Sequence, residues 1–226
     1  MAMLKQIAPA LWEVDAPMNV LGMALGHRMT VVRLPNGSLW LHSPVAYSEA
    51  LVDALLALGP LAHVVAPNCM HDTYLDGWFE ACPGLQFHAA QGFSEYRPDL
   101  KFGAFLGDTP PDDWAEVFAQ HLVRGAPRIN EIAFLHRASQ TLILTDLCFN
   151  LGPDMPMLSR VLLNLNGCYC RFAPSRLLRS TIKDRAAFRA SVDQLLKWDF
   201  DRIVLSHGRT IDSGAKLALR EAFAFL

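Results

Sequence analysis

The sequence predicts a layered sandwich of strands and helices, α/β or α+β, and three observations predict it. The chain has 226 residues, of which 52% are hydrophobic and 19% charged, so there is ample apolar material for a large core. Short strand-like runs interleave with segments of helical period along its length. Hairpin signals come early and helices become more frequent late, which sorts the elements into packed layers.

The first hairpin is marked by Pro35-Asn36-Gly37, set between Met29–Leu34 and Ser38–His42. Asn-Gly between two apolar runs favours a tight turn because both residues tolerate positive φ. Ser48–Leu58 carries Leu51, Leu55 and Leu58 at helical spacing, and Gly59-Pro60 stops that helix. Leu61–Ala66 reads as a buried strand, Leu75–Ala81 as a short helix and Leu85–His88 as a further strand. The stretch from Gln91 to Asp113, rich in Gly, Pro and Asp, reads as irregular. A second hairpin is expected from Glu131–His136 and Thr141–Thr145, turning over Arg137–Gln140. Asp184 caps a helix with Phe188, Val192, Leu195 and Leu196 on one face. Arg202–Ser206 reads as a strand, and Asp212 as the opening of a last helix. One domain over residues 1–226 is expected, with an irregular and helical insertion at about 151–181 that contains a short helix near Leu158–Leu165. The insertion can be a lid, a dimer arm or a membrane-facing flap; its apolar Met155, Met157, Leu158, Leu162 and Leu163 suit the last two, or ordinary packing on the sandwich.

Twenty basic against 22 acidic residues give a formal charge of −2, which argues against a nucleic-acid footprint built on bulk positive charge. The five tryptophans are scattered and read as core, not as a base-stacking platform. No apolar run approaches the roughly 18–20 residues of a membrane span. The first residues lack a basic stretch followed by an apolar one, so no secretory signal is expected. Cys69, Cys82, Cys148, Cys168 and Cys170 are odd in number and form no CxxC pair, as expected of reduced thiols in a cytoplasmic protein.

Four apolar runs end in residues that can ligate metal or carry protons. Leu39–His42 ends in His42, Val64–Asp72 runs into His71-Asp72, Leu142–Asp146 ends in Asp146, and Ile203–Gly208 ends in His207-Gly208. In open sheets with parallel strands, ligands bind beyond the carboxyl ends of strands, so residues distant in sequence can converge there. Imidazole with carboxylate suits one divalent Zn, Fe or Mn better than a thiolate-loving ion. Each residue also has a plainer role. His207 can be a hydrogen-bonding residue on a tight turn, Asp146 a turn cap, Asp72 a helix N-cap, and His71 a packing partner of Trp78. Cys69 reads as a ligand or nucleophile only if its pKa is lowered, and Cys168-Tyr-Cys170 is a weak metal signal. His136 reads as the anchor of its hairpin; Glu131 and Ser139 serve the same hairpin and carry no chemistry.

Leu41-His-Ser-Pro44, Pro67-Asn68-x-x-His71, Thr141–Leu147 and Trp198–Gly208 together resemble the metallo-β-lactamase superfamily, in an uncharacterised branch. The resemblance spans nearly the whole chain outside 151–181. It implies an α+β fold, the four-layer αββα sandwich, with a metal site at one edge between two sheets. It also implies a signature loop His-x-His-x-Asp-His, a later His, a bridging Asp and a last His. Here that loop is eroded: with Asp72 in register, Asn68, Met70 and Thr73 stand where the three His belong, and His71 is one residue off. The later His, expected near Gly125–Arg128, is absent, while Asp146 and His207 match the bridging Asp and the last His.

Two functions follow. In the first, His71, Asp146 and His207 hold one divalent metal. Asp72 orients or deprotonates a water, His42 and Asn68 support the site, and an ester, thioester or phosphoester is hydrolysed. Loops Gln91–Asp113 and Asn150–Thr181 would select the substrate. In the second, the metal is lost and the crevice binds a small molecule or a protein partner. The partners expected are a small-molecule substrate or ligand and a second copy of the chain, with neither nucleic acid nor a transmembrane segment.

Overall fold

Runs that are apolar at nearly every position make strands buried on both faces, and such strands build the centre of this molecule. A computed structural model describes residues 4–226. It begins with the antiparallel pair β1 (Leu4–Ala8) and β2 (Leu11–Ala16), and the small ribbon β3 (Asn19–Val20) and β4 (Met23–Ala24). Next come β5 (His27–Arg33) and β6 (Leu39–His42), the hairpin expected around Asn36-Gly37; Gly37 has φ +85°. The helix α1 (Glu49–Leu56) is capped by Ser48, whose hydroxyl accepts from Leu51 N–H. β7 (Leu61–Ala66), α2 (Leu75–Ala81), β8 (Gln86–Ala90), α3 (Phe93–Tyr96) and β9 (Ala104–Leu106) follow.

The second half opens with β10 (Phe118–Leu122), β11 (Ile132–His136) and β12 (Thr141–Leu144). The expected second hairpin turns through a single 3-10 turn at Arg137–Ser139, where His136 Nδ1 lies 2.6 Å from the Ser139 hydroxyl. The segment 151–181 holds α4 (Met157–Leu165), β14 (Phe172–Ala173) and α5 (Arg176–Thr181); β14 pairs with β13 (Phe149–Asn150). The chain ends with α6 (Arg185–Lys197), capped by Asp184, then β15 (Arg202–Leu205) and α7 (Ala215–Ala222).

Several elements depart from the sequence expectation. β1 and β2 were not expected as strands, because polar Lys5, Gln6 and Glu13 break the apolar pattern. Glu13 is nonetheless buried, paired with Lys5 and Arg28. The stretch 91–113 contains α3 and β9, and α5 follows a Ser175 cap that accepts from Leu178 N–H. Asp212 does not open α7; the helix starts after Gly214, which is in the left-handed region, and Asp212 is an exposed partner of Arg202 at 3.5 Å.

The strands form a seven-stranded sheet, order β1-β2-β5-β6-β7-β8-β9, and a four-stranded sheet, order β10-β11-β12-β15. Alternation along each strand divides the core into three layers. Val32, Trp40, Val65, Phe118, Phe134 and Ile143 pack between the sheets. Val31, Leu41 and Val64 face the other way, onto Leu51 and Leu55 of α1 and Trp78 of α2. Leu135, Leu142 and Leu144 face Phe188 and Val192 of α6 and Leu219 of α7. The result is the α+β architecture expected, an αββα sandwich.

The sheets are joined at one edge. Arg28 N–H donates to Ser206 O at 2.8 Å, and the Arg28 guanidinium reaches Leu205 O at 3.2 Å and Gly208 O at 2.8 Å. This seam brings the carboxyl ends of β6, β7, β12 and β15 together, with β6–β7 and β12–β15 both parallel pairs.

Candidate metal centre

Three strand ends deliver one side chain each to the seam. His71 comes from the loop after β7, Asp146 from the loop after β12, and His207 from the turn after β15. Asp146 stands between the two imidazoles: its Oδ2 is 3.1 Å from His71 Nε2 and its Oδ1 is 3.5 Å from His207 Nε2. One donor atom from each of the three lies within 4.8 Å of the others.

The far side of each ring is held. His207 Nδ1 lies 2.7 Å from Gly26 O, a carbonyl that can only accept, so Nδ1–H donates there and Nε2 is turned inward towards Asp146. His71 Nδ1 lies 2.7 Å from the Ser43 hydroxyl, which also receives a bond from the Ser206 hydroxyl at 3.2 Å. A ring that offers Nε2 while Nδ1 is held by an outer partner is the usual arrangement of a metal-binding histidine. The turn that carries His207 depends on Gly208, whose φ is +99°. A Cβ there would also collide with the Asn150 carbonyl.

Asp146 is positioned by residues of both sheets. Asn68 Nδ2 donates to its Oδ2 at 2.8 Å and to Thr145 Oγ1 at 2.8 Å. The buried Glu131 carboxylate accepts the backbone N–H of Thr145, Asp146 and Leu147 at 2.7, 2.8 and 2.9 Å. Burial raises the Glu131 carboxyl from 4.5 to about 7, aided by the Asp146 charge, while these N–H donors pull the other way. Asp146 itself is held well below the usual carboxylate range by the imidazoles of His71 and His207, which outweigh its burial. His207 is raised despite burial, because it faces Asp146.

The structure brings together His71, Asp146, His207 and Asn68, but not the other two residues expected. Asp72 points away: its carboxylate is 3.6 Å from Arg97, which also pairs with Asp76 and Asp99. Its side chain is 39% exposed and outside the cavity over the triad, because the loop turns by one residue and presents His71 instead. His42 points into the core between the sheets, stacked on Trp40, and neither of its ring nitrogens has a hydrogen-bond partner among the described residues. The supporting role expected of it falls to its neighbour Ser43, held at φ +54°. Cys69 is buried and its thiol pushed up to about 11, the opposite of an activated nucleophile.

Sequence reasoning missed Ser43, Ser206 and His27, and it gave Glu131 no part in the site. His27 Nε2 donates to the Ser43 and Pro44 carbonyls at 3.1 Å each, and burial lowers its pKa to about 3. Position alone gives these residues their roles. The one readable signal was Glu131, an acidic residue opening an apolar strand that is buried on both faces.

Above the triad lies a cavity of about 290 Å³. Met18, Met23 and Leu25, on and beside the β3–β4 ribbon, form one wall; Phe149, Leu163 and Leu177 form the other. The 150–181 segment contributes Leu163, Asn166, Cys168, Ser175 and Leu177 to the lining, whereas no residue from 91–113 lines the cavity, since that stretch packs along the β8–β9 edge.

A metallo-β-lactamase from Pontibacter korlensis superposes over 100% of this chain and 100% of its own, at TM-score 0.67 and 9% identity. The chain has a metallo-β-lactamase-like fold. A metallo-β-lactamase from Erythrobacter litoralis, solved with β-mercaptoethanol in its active site, matches at TM-score 0.67 and 14% identity, covering 99% of this chain and 96% of its own. The metallo-β-lactamase FIM-1 from Pseudomonas aeruginosa, in its mono-zinc form, matches at TM-score 0.65 and 11% identity, covering 98% and 94%. In sequence, a family model described as a domain of unknown function, DUF4336, matches residues 9–94. No curated protein matches. The metallo-β-lactamase-like fold is therefore shared, with identities too low to carry activity across. No helix among the described residues is long and apolar enough to cross a membrane.

Proposed function

We propose that this chain is a mononuclear metal-dependent hydrolase, acting on an ester, thioester or phosphoester, with His71, Asp146 and His207 holding one divalent Zn, Fe or Mn. The observation that carries the reading is the convergence of two Nε2 atoms and a partly buried carboxylate within 4.8 Å, with each imidazole tied behind by an outer partner. Two imidazoles and a carboxylate with open positions form a donor set suited to zinc or non-haem iron. A divalent ion bound there supplies Lewis acidity and a water that is nucleophilic at neutral pH. The mono-zinc form of the Pseudomonas aeruginosa neighbour supports a one-metal reading of this fold.

In this reading the chain's own residues have distinct tasks. Asn68 and Glu131 hold the Asp146 loop, and Ser43 and Gly26 O hold the two rings. Asp72, turned towards Arg97, has no part. Residues 1–226 act as a single domain in which 151–181 supplies a cavity wall.

The test is metal content per chain, measured by mass spectrometry on protein purified without chelator. One equivalent of a first-row metal, lost in His207→Ala with the circular dichroism spectrum unchanged, is the expected result. Substoichiometric metal, with no rise in melting temperature on adding Zn²⁺, Mn²⁺ or Fe²⁺, would overturn the reading.

A further inference from the structure

The cavity over the triad is lined mainly by methionine, leucine, valine and phenylalanine; the polar Thr73, Tyr74, Asn166 and Ser175 that also line it are uncharged, and no Lys or Arg is among the lining residues. Two of these polar side chains accept backbone N–H groups. Asn166 Oδ1 accepts Leu177 N–H at 3.3 Å, and the Ser175 hydroxyl accepts Leu178 N–H at 3.1 Å as the cap of α5. The apolar lining continues onto the surface: Leu21, Met70 and Leu177 line the cavity while remaining 88%, 56% and 60% exposed. Soluble proteins rarely leave large aliphatic side chains open around a cavity mouth without a ligand to cover them.

We propose that this cavity seats the hydrocarbon chain of an acyl ester or thioester, whose carbonyl then lies at the His71–Asp146–His207 end. The proposal rests on the metal reading above and narrows it, excluding phosphoesters. A phosphoester brings at least one negative charge, which enzymes clamp with Arg, Lys or a second metal ion. This cavity has neither cation in its lining, and Asp146 adds a further negative charge. A neutral carbonyl with an alkyl chain brings no charge that needs such a clamp, and each methylene moves from water to apolar surroundings. The reaction is balanced by water alone: its oxygen joins the acyl carbon, the acyl–oxygen or acyl–sulfur bond breaks, and the alcohol or thiol leaves with a proton. The acid is released as carboxylate and a proton.

The chain-binding part is tested without metal. Calorimetric titration with straight-chain 1-alkanols, which are uncharged and have no chelating head, is expected to show affinity rising by about fourfold per added methylene. The rise should level off once the chain fills the cavity. Leu177→Asp, at a rim position exposed enough to spare folding, should flatten this slope while zinc uptake stays at one equivalent. Alkyl hydroxamates with zinc-loaded protein are expected to follow the same slope and to bind more tightly than the alkanols throughout.

A flat alkanol series overturns the chain-binding proposal whatever the metal does. A steep alkanol series with hydroxamates no better than alkanols leaves this cavity standing and overturns the metal reading. For the loaded protein, p-nitrophenyl esters from acetate to decanoate should show kcat/KM climbing with chain length. Turnover of bis(p-nitrophenyl) phosphate equal to that of the decanoate would overturn the narrowing.

Discussion

Among the described residues, two groups of two histidines and an aspartate stand close together, and only in one do donor atoms of all three lie within 4.8 Å of one another. In the first, His71 and His207 point their ε nitrogens at the partly buried Asp146 carboxylate between them. In the second, at the far edge of the large sheet, His63 Nδ1 faces His88 Nε2 at 3.2 Å, and Asp113 stands 4.0 Å from His63 Nε2 with its side chain 53% exposed. The residue types are the same and the outcomes differ. In the second group the imidazoles face each other, the carboxylate is out in water, and His88 Nδ1 has no partner among the described residues. Burial lowers His88 to about 4 and lowers His63 as well, whereas His207 is raised. What separates the groups is whether a largely shielded anion, Asp146 at 16% exposure against Asp113 at 53%, stands between the rings to offset their desolvation.

The contrast can be broken most directly with zinc. At about 100 times its dissociation constant, zinc should stabilise the protein by about 2.7 kcal/mol, read from the urea midpoint. Asp146→Asn should abolish that gain. His63→Gln combined with His88→Gln should leave it intact, and loss of zinc in that double variant would mean the wrong group was chosen.

Glu131→Gln probes what holds the good site together. A neutral amide cannot accept all three backbone N–H groups of the Asp146 loop, so a loss of about 1–3 kcal/mol in stability is expected. Zinc affinity should fall by about 10–100-fold, as for other outer partners. An unchanged zinc titration would show that the loop holds Asp146 unaided.

The pH dependence of metal-free protein should have opposite signs at the two groups. His88, lowered from 6.5 to about 4, adds stability at neutral pH that is lost as pH falls through that window, on the order of 1 kcal/mol per pH unit. His207, raised from 6.5, adds stability at pH values below 6.5 that is lost as pH rises through its higher folded value. In urea titrations across pH, His88→Phe should therefore flatten the acid limb, and His207→Ala should lose most stability on the acid side. Zinc binding reverses the picture at the first group, because protons and metal compete for His207 and uptake weakens as pH falls.

The smallest effects belong to the exposed carboxylates. Asp72→Asn leaves Arg97 its bonds to Asp76 and Asp99, so a change within about 1 kcal/mol and full zinc content are expected. A marked loss of metal in this variant would return Asp72 to the site.

The layered fold was legible because its signals are local. The turn at Asn36-Gly37, the helical spacing of Leu51 and Leu55, the Asp184 cap and the continuous apolar runs of β7, β12 and β15 each act within a few residues. Elements whose reason lies elsewhere in the chain were missed. β1 and β2 contain Lys5 and Glu13, which make sense only once Arg28 is beside them, and α5 matters chiefly as a wall of the cavity. His71, Asp146 and His207 stood out as polar residues closing buried strands.

The sequence by itself therefore determined the central strands β5–β8, β11, β12 and β15, most helices, and that His42, His71, Asp146 and His207 close apolar runs, since periodicity and turn chemistry are written over short spans. Only the tertiary structure decided that His71 and not Asp72 turns inward, and that Ser43 rather than His42 backs the site. It also decided that Glu131 carries the Asp146 loop and that the β3–β4 ribbon walls the cavity. Those outcomes depend on backbone direction and on partners up to 181 residues away, as in the bond between His207 and Gly26, and no local pattern encodes such distances.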